Sequence, residues 1–217
     1  MSNYDDPSLN PQSATRHRRS DRHRETGDNE KKIPQSAAYS QPDIPAEQIL
    51  AEPVPRNTAP CIALACWKIR QKYPDANIVV SPSDAYVPDH KAFAATVQEA
   101  LSFTSGSSAI VTIGINPTRP DTGYGYIQQG GLTRGNIHKV LAFKEKPSEN
   151  VARQYLSEGG YLWNAGIFVW NVKTIEREMR AHAPQIAGVM DAVAPLFYTP
   201  EEAGALSEMF PACEKIS

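Results

Sequence analysis

The residues best suited to chemistry stand in short polar groups, and the first of these groups contains a carboxylate, Asp84. It lies three residues past Ser81, which ends the short apolar run of residues 77–81. Ligands of open parallel sheets bind beyond the carboxyl ends of the strands, where a carboxylate can hold Mg²⁺ bound to nucleotide phosphates. Ser83 or Asp84 can equally cap a turn at this point. Spacing alone leaves both interpretations open.

A second group, formed by Arg56, Asn57 and Thr58, opens a predicted helix. The N-terminus of a helix offers free backbone N–H groups and a positive field, which suit an anion or the polar edge of a base. The same residue types also cap helices well, so plain capping explains the group without any ligand.

Two further groups could contact a hydroxylated ligand. Residues 122–126, Thr-Gly-Tyr-Gly-Tyr, place two glycines beside aromatic rings. Glycine lets the backbone approach a ligand closely, although an ordinary bulge in a strand would use the same residues. Glu145 and Lys146 follow later in the chain, and by themselves they indicate only a surface charge pair.

The elements that must position these groups alternate between strand and helix. The predicted strands of the first half are residues 49–52, 77–81 and 109–115, and the predicted helices are residues 57–73 and 89–103. Each strand is a short apolar run bounded by turn residues, and Asp89 is a good cap for the second helix. This alternation predicts an α/β fold with a doubly wound, mostly parallel, Rossmann-like sheet.

The second half of the chain differs. Its predicted strands are residues 124–129, 138–144 and 161–171, and its predicted helices are residues 148–159 and 172–182. We expect the first two strands to form a hairpin that turns at Gly130 and Gly131. Gly159 and Gly160 are expected to end the first of the helices.

Composition excludes several classes of protein. The chain has 217 residues and a net charge of −2, which is about one domain without a charge excess that would name a partner. It has no apolar run long enough to span a membrane and no signal-peptide core, and its three cysteines argue against a disulfide framework. We therefore expect a cytoplasmic protein.

Residues 1–45 form a polar segment that is expected to be disordered, ahead of one domain at residues 46–217. Five arginines stand within residues 16–24. They could tether the chain to nucleic acid or another anionic surface. Acidic residues follow at once and no aromatic residue interleaves, so a solvated tail is favoured and a nucleic-acid partner is not expected.

Several motifs, in their order and spacing, resemble the sugar nucleotidyltransferases, most closely the bacterial mannose-1-phosphate guanylyltransferases. They are residues 52–60 (Glu-Pro-Val-Pro-Arg-Asn-Thr-Ala-Pro), 81–84 (Ser-Pro-Ser-Asp), 120–127 (Pro-Asp-Thr-Gly-Tyr-Gly-Tyr-Ile), 143–147 (Phe-Lys-Glu-Lys-Pro) and 163–166 (Trp-Asn-Ala-Gly). The resemblance covers about residues 49–217. It implies in-line attack of mannose 1-phosphate on GTP to give GDP-mannose and pyrophosphate, with Mg²⁺ as cofactor.

The resemblance also implies a role for individual residues. Those assigned to the nucleotide are Glu52, Arg56, Asn57 and Thr58. Those assigned to the sugar are Gly123, Tyr124, Gly125, Glu145, Lys146 and Asn164. Asp84 would hold the metal, and Arg56 and Lys146 would act catalytically by neutralising phosphate charge. A second copy of the chain is a further candidate partner.

The sequence departs from this family in three respects. Ala85 stands where the family usually has histidine after the metal-binding aspartate. No Gly-rich phosphate loop is recognisable in residues 1–48, and the segment with a second metal-binding aspartate is not found before Ser217. The motifs therefore predict a domain incomplete at both ends with impaired transfer activity. The alternative is a non-catalytic protein that binds a sugar nucleotide or another partner.

Overall fold

A computed structural model describes residue 45 and residues 48–217. The strands are β1 (Asn77–Val80), β2 (Val111–Ile115), β3 (Tyr126–Arg134), β4 (Ile137–Lys144) and β5 (Tyr161–Asn171). The helices are α1 (Thr58–Lys72), α2 (His90–Thr104), α3 (Glu149–Glu158), α4 (Val172–His182), α5 (Pro184–Val193) and α6 (Glu202–Met209). Short 3₁₀ turns follow at Ala194–Leu196 and Phe210–Ala212. The expectation of disorder for residues 1–45 lies, apart from residue 45, outside the described residues.

The long strand β5 organises the sheet. Val79 of β1 and Val111 of β2 both lie opposite Val169, so β1 and β2 occupy the two edges of β5. Trp163, at the other end of β5, lies between Ile115 of β2 and the first residue of β3. Strand β3 therefore follows β1 along the same edge of β5, and β4 is added beyond β3.

The mixed α/β class is confirmed, but the predicted mostly parallel pairing is not. Every pairing among the described strands is antiparallel. Strands β1 and β2 do run in one direction, as strands separated by a crossover helix should. They are not neighbours, because β5 lies between them and runs the opposite way. The strand–helix alternation indicates the direction of β1 and β2, but it carries no signal for a strand inserted from a later part of the chain.

Two other predicted elements differ from the structure. Residues 49–52 do not form a strand. The hairpin does not turn at Gly130 and Gly131, since β3 continues through both glycines. It turns instead at Gly135, whose φ of 57° suits a residue without a side chain, and the backbone N–H of Asn136 donates to Glu99 of α2 at 2.8 Å.

Most of the core lies between the helices and one end of the sheet. Helix α1 buries Leu64 and Trp67 against residues of α4, α5 and the 3₁₀ turn at Phe210–Ala212, together with Ile78 and Trp170 of the sheet. A smaller cluster joins the other end of the sheet to α3, with Tyr126, Ala152 and Trp163 at its centre. The start of β3 is thus anchored by a separate core, which matters for the site described below.

Among the described residues, no helix is long and apolar enough to cross a membrane.

Candidate functional site

A bulge in β5 is the structural centre of the candidate site. Ile113 pairs with Ile167, but the next residue of β2, Gly114, pairs with Asn164, so two residues of β5 are left over. The side-chain Oδ1 of Asn164 accepts a hydrogen bond from the backbone N–H of Gly166 at 3.0 Å, and Gly166 has a φ of 69°. The bulge therefore depends on an amide side chain and on a glycine in the left-handed region.

The start of β3 and the end of β4 meet this bulge. The backbone N–H of Asn164 donates to the carbonyl oxygen of Gly125 at 2.8 Å. A β carbon on Gly125 would lie 3.3 Å from the carbonyl oxygen of Lys144. This close approach of two backbones explains why a glycine stands at this position, whereas the sequence interpretation had the glycine make room for a ligand.

The loop before β3 is held by the carboxylate of Asp121. Its Oδ1 accepts from the backbone N–H of Gly123 at 2.7 Å, and its Oδ2 lies 2.6 Å from Nη2 of Arg119. The hydroxyl of Tyr126 donates to the backbone carbonyl of Asp121 at 2.9 Å. The hydrogen bond from Gly123, assisted by Arg119, lowers the pKa of Asp121 below its ordinary value.

Trp163 packs against the loop before β3. Its ring centroid lies 5.3 Å from that of Tyr124, and the guanidinium of Arg119 also lies 5.3 Å from the indole ring. Trp163 is only 8% exposed, and its indole N–H is buried without an acceptor among the residues that the structure describes. A buried donor without a partner is destabilising, so a ligand or water that accepted this bond would be favoured there.

Glu145 and Lys146 lie at the same edge of the sheet. Lys144, the last residue of β4, pairs with Tyr126, so Glu145 and Lys146 leave the sheet beside the start of β3. Both side chains are exposed. The described contacts join Gly125 to Asn164 and to Lys144. Six residues are assigned to the sugar by the family resemblance, and we call them the sugar group: Gly123, Tyr124, Gly125, Glu145, Lys146 and Asn164. Of these, Glu145 and Lys146 are placed only by their position directly after β4.

The loop that carries Asp84 borders the same bulge. A β carbon on Gly166 would lie 3.3 Å from Cγ of Pro82, two residues before Asp84. The carboxylate itself is exposed, in a turn after β1. Among the described residues no three His, Cys, Asp or Glu side chains are grouped to hold a metal. One carboxylate still fits Mg²⁺, which binds through one or two carboxylates and keeps several waters or phosphate oxygens.

The segment assigned to the nucleotide has a different setting. Arg56 donates to the carbonyl oxygen of Pro211, in the C-terminal 3₁₀ turn. Glu52 approaches the thiol of Cys61, and burial together with this carboxylate raises the pKa of Cys61 to about 12. The segment assigned to the nucleotide therefore packs against the C-terminal residues. No described contact joins it to the residues assigned to the sugar.

The entrance to α1 has an unusual backbone. Asn57 occupies the N-cap position with a φ of 69°, and its side chain makes no capping hydrogen bond, contrary to the capping interpretation. The backbone N–H of Ala59 donates to the carbonyl oxygen of Ile216 at 2.9 Å. Thr58 begins the helix and is exposed. A left-handed conformation of a residue other than glycine costs energy and is often found at functional sites.

One residue of the site was missed by the sequence interpretation. Arg119 precedes the motif of residues 120–127 by one position, and its contacts with Asp121 and Trp163 place it on the sugar group. The signal available in the sequence was a basic residue next to a glycine-rich turn. Such a residue is commonly a solvated surface charge, so it was not singled out.

The family model for nucleotidyl transferases matches residues 12–195. The chain belongs to the nucleotidyl transferase family.

Individual relatives point to one branch of this family. The chain is 37% identical over 139 residues to a putative mannose-1-phosphate guanylyltransferase of Vibrio cholerae, covering 64% of this chain and 30% of that protein. It is 41% identical over 139 residues to the xanthan biosynthesis protein XanB of Xanthomonas campestris, covering 64% of this chain and 29% of that one. The resemblance to mannose-1-phosphate guanylyltransferases is therefore confirmed, and the chain spans about 30% of the length of these curated relatives.

Solved structures agree with the fold. A crystal structure described as a mannose-1-phosphate geranyltransferase from Thermus thermophilus superposes with a TM-score of 0.71 at 31% identity, covering 84% of this chain and 51% of that chain. A crystal structure described as a mannose-6-phosphate isomerase from Helicobacter pylori gives a TM-score of 0.60 at 26% identity, covering 78% of this chain and 64% of that chain.

Proposed function

We propose that this chain binds mannose 1-phosphate and contributes to its guanylylation by GTP, which gives GDP-mannose and pyrophosphate. One observation carries the proposal. The bulge at Asn164 joins the glycine-rich start of β3 to the end of β4 through a 2.8 Å backbone hydrogen bond. Glycine backbone, an amide side chain and a carboxylate, Glu145, are groups suited to sugar hydroxyls. The ring of Trp163 lies against Tyr124 of this group, and its buried indole N–H has no acceptor among the described residues, which would favour a polar ligand.

The reaction would proceed by positioning and charge neutralisation. A phosphate oxygen of the sugar phosphate attacks the α-phosphorus of GTP, and pyrophosphate leaves. Lys146 would bind the sugar phosphate, and Glu145 and Asn164 would fix the hexose so that the attacking oxygen is in line. Arg56, with Glu52, Asn57 and Thr58, would contact the nucleotide. For this, the side chain of Arg56 would have to exchange its hydrogen bond with Pro211 for one with a phosphate.

Asp84 is the residue proposed to hold Mg²⁺. The ion, when bound with nucleotide, would neutralise phosphate charge. The exposed turn leaves room around the carboxylate, and the contact between Pro82 and Gly166 brings this loop close to the sugar group. This fits an ion shared between the protein and the nucleotide phosphates rather than one enclosed by protein side chains.

The ligand preference is the most direct test. We expect isothermal titration of the protein to show binding of mannose 1-phosphate, and of GTP in preference to ATP, UTP or dTTP when Mg²⁺ is present. The family resemblance is the reason for both preferences. If another nucleotide binds most tightly, the proposed assignment to guanylyl transfer is wrong. The chain would then act with a different nucleotidyl group.

Metal dependence provides a second prediction. Replacing Asp84→Asn should weaken the Mg²⁺-dependent part of GTP binding, since an amide is a poorer ligand for a hard cation than a carboxylate. Asp75→Asn is a matched control, because Asp75 is also exposed but is paired with Lys173. A folded Asp84→Asn variant with unchanged Mg²⁺ dependence would show that Asp84 serves only the turn.

A binding protein without transfer activity is the second candidate function. It is favoured by one observation, the hydrogen bond that Arg56 donates to Pro211, which occupies a side chain proposed for the nucleotide. This candidate predicts that mannose 1-phosphate or GDP-mannose binds, whereas GTP binds no better than the other nucleotides.

A further inference from the structure

Arg119 carries a positive charge beside the residues assigned to the sugar. It lies one position before the motif of residues 120–127 and is not part of it. Its side chain is 61% exposed, yet it is held at two points, by Asp121 at 2.6 Å and by the indole ring of Trp163 at 5.3 Å. Exposed arginines ordinarily sample many rotamers, and ordering one costs entropy. An arginine that is held at two points while still open to solvent is suited to receive a ligand.

We propose that Arg119 binds the phosphate group of the sugar 1-phosphate, an inference that rests on the proposed function. The guanidinium carries five N–H donors in a planar arrangement that matches a phosphate in bidentate fashion. The ion pair to Asp121 uses Nη2 of this group. Asp121 and Trp163 act as positioning residues, because they hold the guanidinium plane while the remaining donors are offered to the phosphate.

The local charges and backbone fit this role. Asp121 also accepts the N–H of Gly123, so the carboxylate ties Arg119 to the turn that the family uses for the sugar. Tyr124 and Arg119 both lie against the ring of Trp163, and Lys146 follows the end of β4, whose last residue pairs with Tyr126. Arg119 and Lys146 are then the two cations that the proposed site offers to the phosphate. A phosphate monoester carries about −1.5 to −2 charges at pH 7, which two cations complement.

Substitution of Arg119 separates this inference from the proposed function. In titrations with mannose 1-phosphate, Arg119→Gln should bind roughly tenfold more weakly than the unsubstituted protein, since a charge-assisted hydrogen bond is lost at a partly exposed site. Arg119→Lys should recover part of this loss, because it restores the charge but not the bidentate geometry. Unphosphorylated mannose should bind equally to all three proteins.

Arg153→Gln is the matched control. Arg153 is 64% exposed and is also paired with a carboxylate, Glu149, but it lies on α3. It should bind mannose 1-phosphate with the affinity of the unsubstituted protein. The pH profile gives a second measurement. Affinity for mannose 1-phosphate should rise as the phosphate loses its second proton near pH 6, and this rise should be smaller in Arg119→Gln.

The outcomes are distinct. If the unsubstituted protein binds mannose 1-phosphate and Arg119→Gln binds it equally well, Arg119 does not bind phosphate and the proposed function stands. If Arg119→Gln loses mannose and mannose 1-phosphate to the same degree, the residue only supports the loop, and the inference is overturned. If the unsubstituted protein does not bind mannose 1-phosphate, the proposed function fails and this inference fails with it.

Discussion

Replacing Trp67 with alanine should lower the free energy of unfolding by about 3–5 kcal/mol. Trp67 is only 1% exposed and lies in the main core cluster with α4 and α5. Its indole N–H donates to Oδ1 of Asp191 at 2.9 Å, and Arg180 contacts the same oxygen at 2.8 Å. The substitution would leave a cavity and remove a hydrogen bond to an ionised carboxylate, so urea denaturation should show a clearly lower midpoint.

Trp67→Phe separates the contribution of the buried ring from that of the hydrogen bond to Asp191. It keeps most of the buried ring but removes the N–H, so it should cost less than alanine, on the order of 1–3 kcal/mol. The hydrogen bonds from the Arg180 guanidinium, and to a smaller degree from the Trp67 N–H, lower the pKa of Asp191 below its ordinary value. If Trp67→Ala unfolds at the same urea concentration as the unsubstituted protein, this cluster does not hold the helical layer together.

The local elements could be predicted from the sequence, but the strand pairing could not. Residues 77–81 were predicted to be a strand because their apolar run ends at turn residues, and residues 161–171 were also predicted to be a strand. The structure has strands at Asn77–Val80 and Tyr161–Asn171. No local pattern shows that the later strand is inserted beside the earlier one. Pairing depends on contacts between residues about 90 positions apart, for which the sequence has no periodic signal.

The candidate site could likewise be predicted only in part from the sequence. Gly125 and Asn164 were selected by a family resemblance, and the structure brings them within one hydrogen bond of each other. The two-residue bulge of β5 that allows this hydrogen bond could not be predicted. Glycine occurs in many settings that need no positive φ, so Gly166 alone did not indicate a bulge. Arg56 was assigned to the nucleotide by the family resemblance, whereas the structure has it donating to Pro211, a contact set by the C-terminal packing.

Gly166→Ala is expected to reduce both the stability of the protein and its affinity for mannose 1-phosphate. The φ of 69° costs an L-residue about 1–2 kcal/mol. The new β carbon would also lie 3.3 Å from Cγ of Pro82, which is tight enough to displace one of the two loops. Because Gly166 donates its N–H to Asn164, a shift of the bulge should move the proposed sugar-binding amide as well. We therefore expect a loss of roughly 2–3 kcal/mol in stability, from the backbone strain together with the close contact.

Two other glycines provide matched controls for this prediction. Gly159 has a φ of 70° but nothing within 4 Å of an added β carbon, so Gly159→Ala should show the backbone cost alone and leave sugar-phosphate affinity unchanged. Gly131 has neither a positive φ nor a near neighbour, so Gly131→Ala should be close to neutral in both measurements. The decisive comparison is Gly166→Ala against Gly159→Ala. Equal stability and equal affinity for mannose 1-phosphate in these two variants would show that the bulge does not shape the binding site, and that the strain at Gly166 belongs to the fold alone.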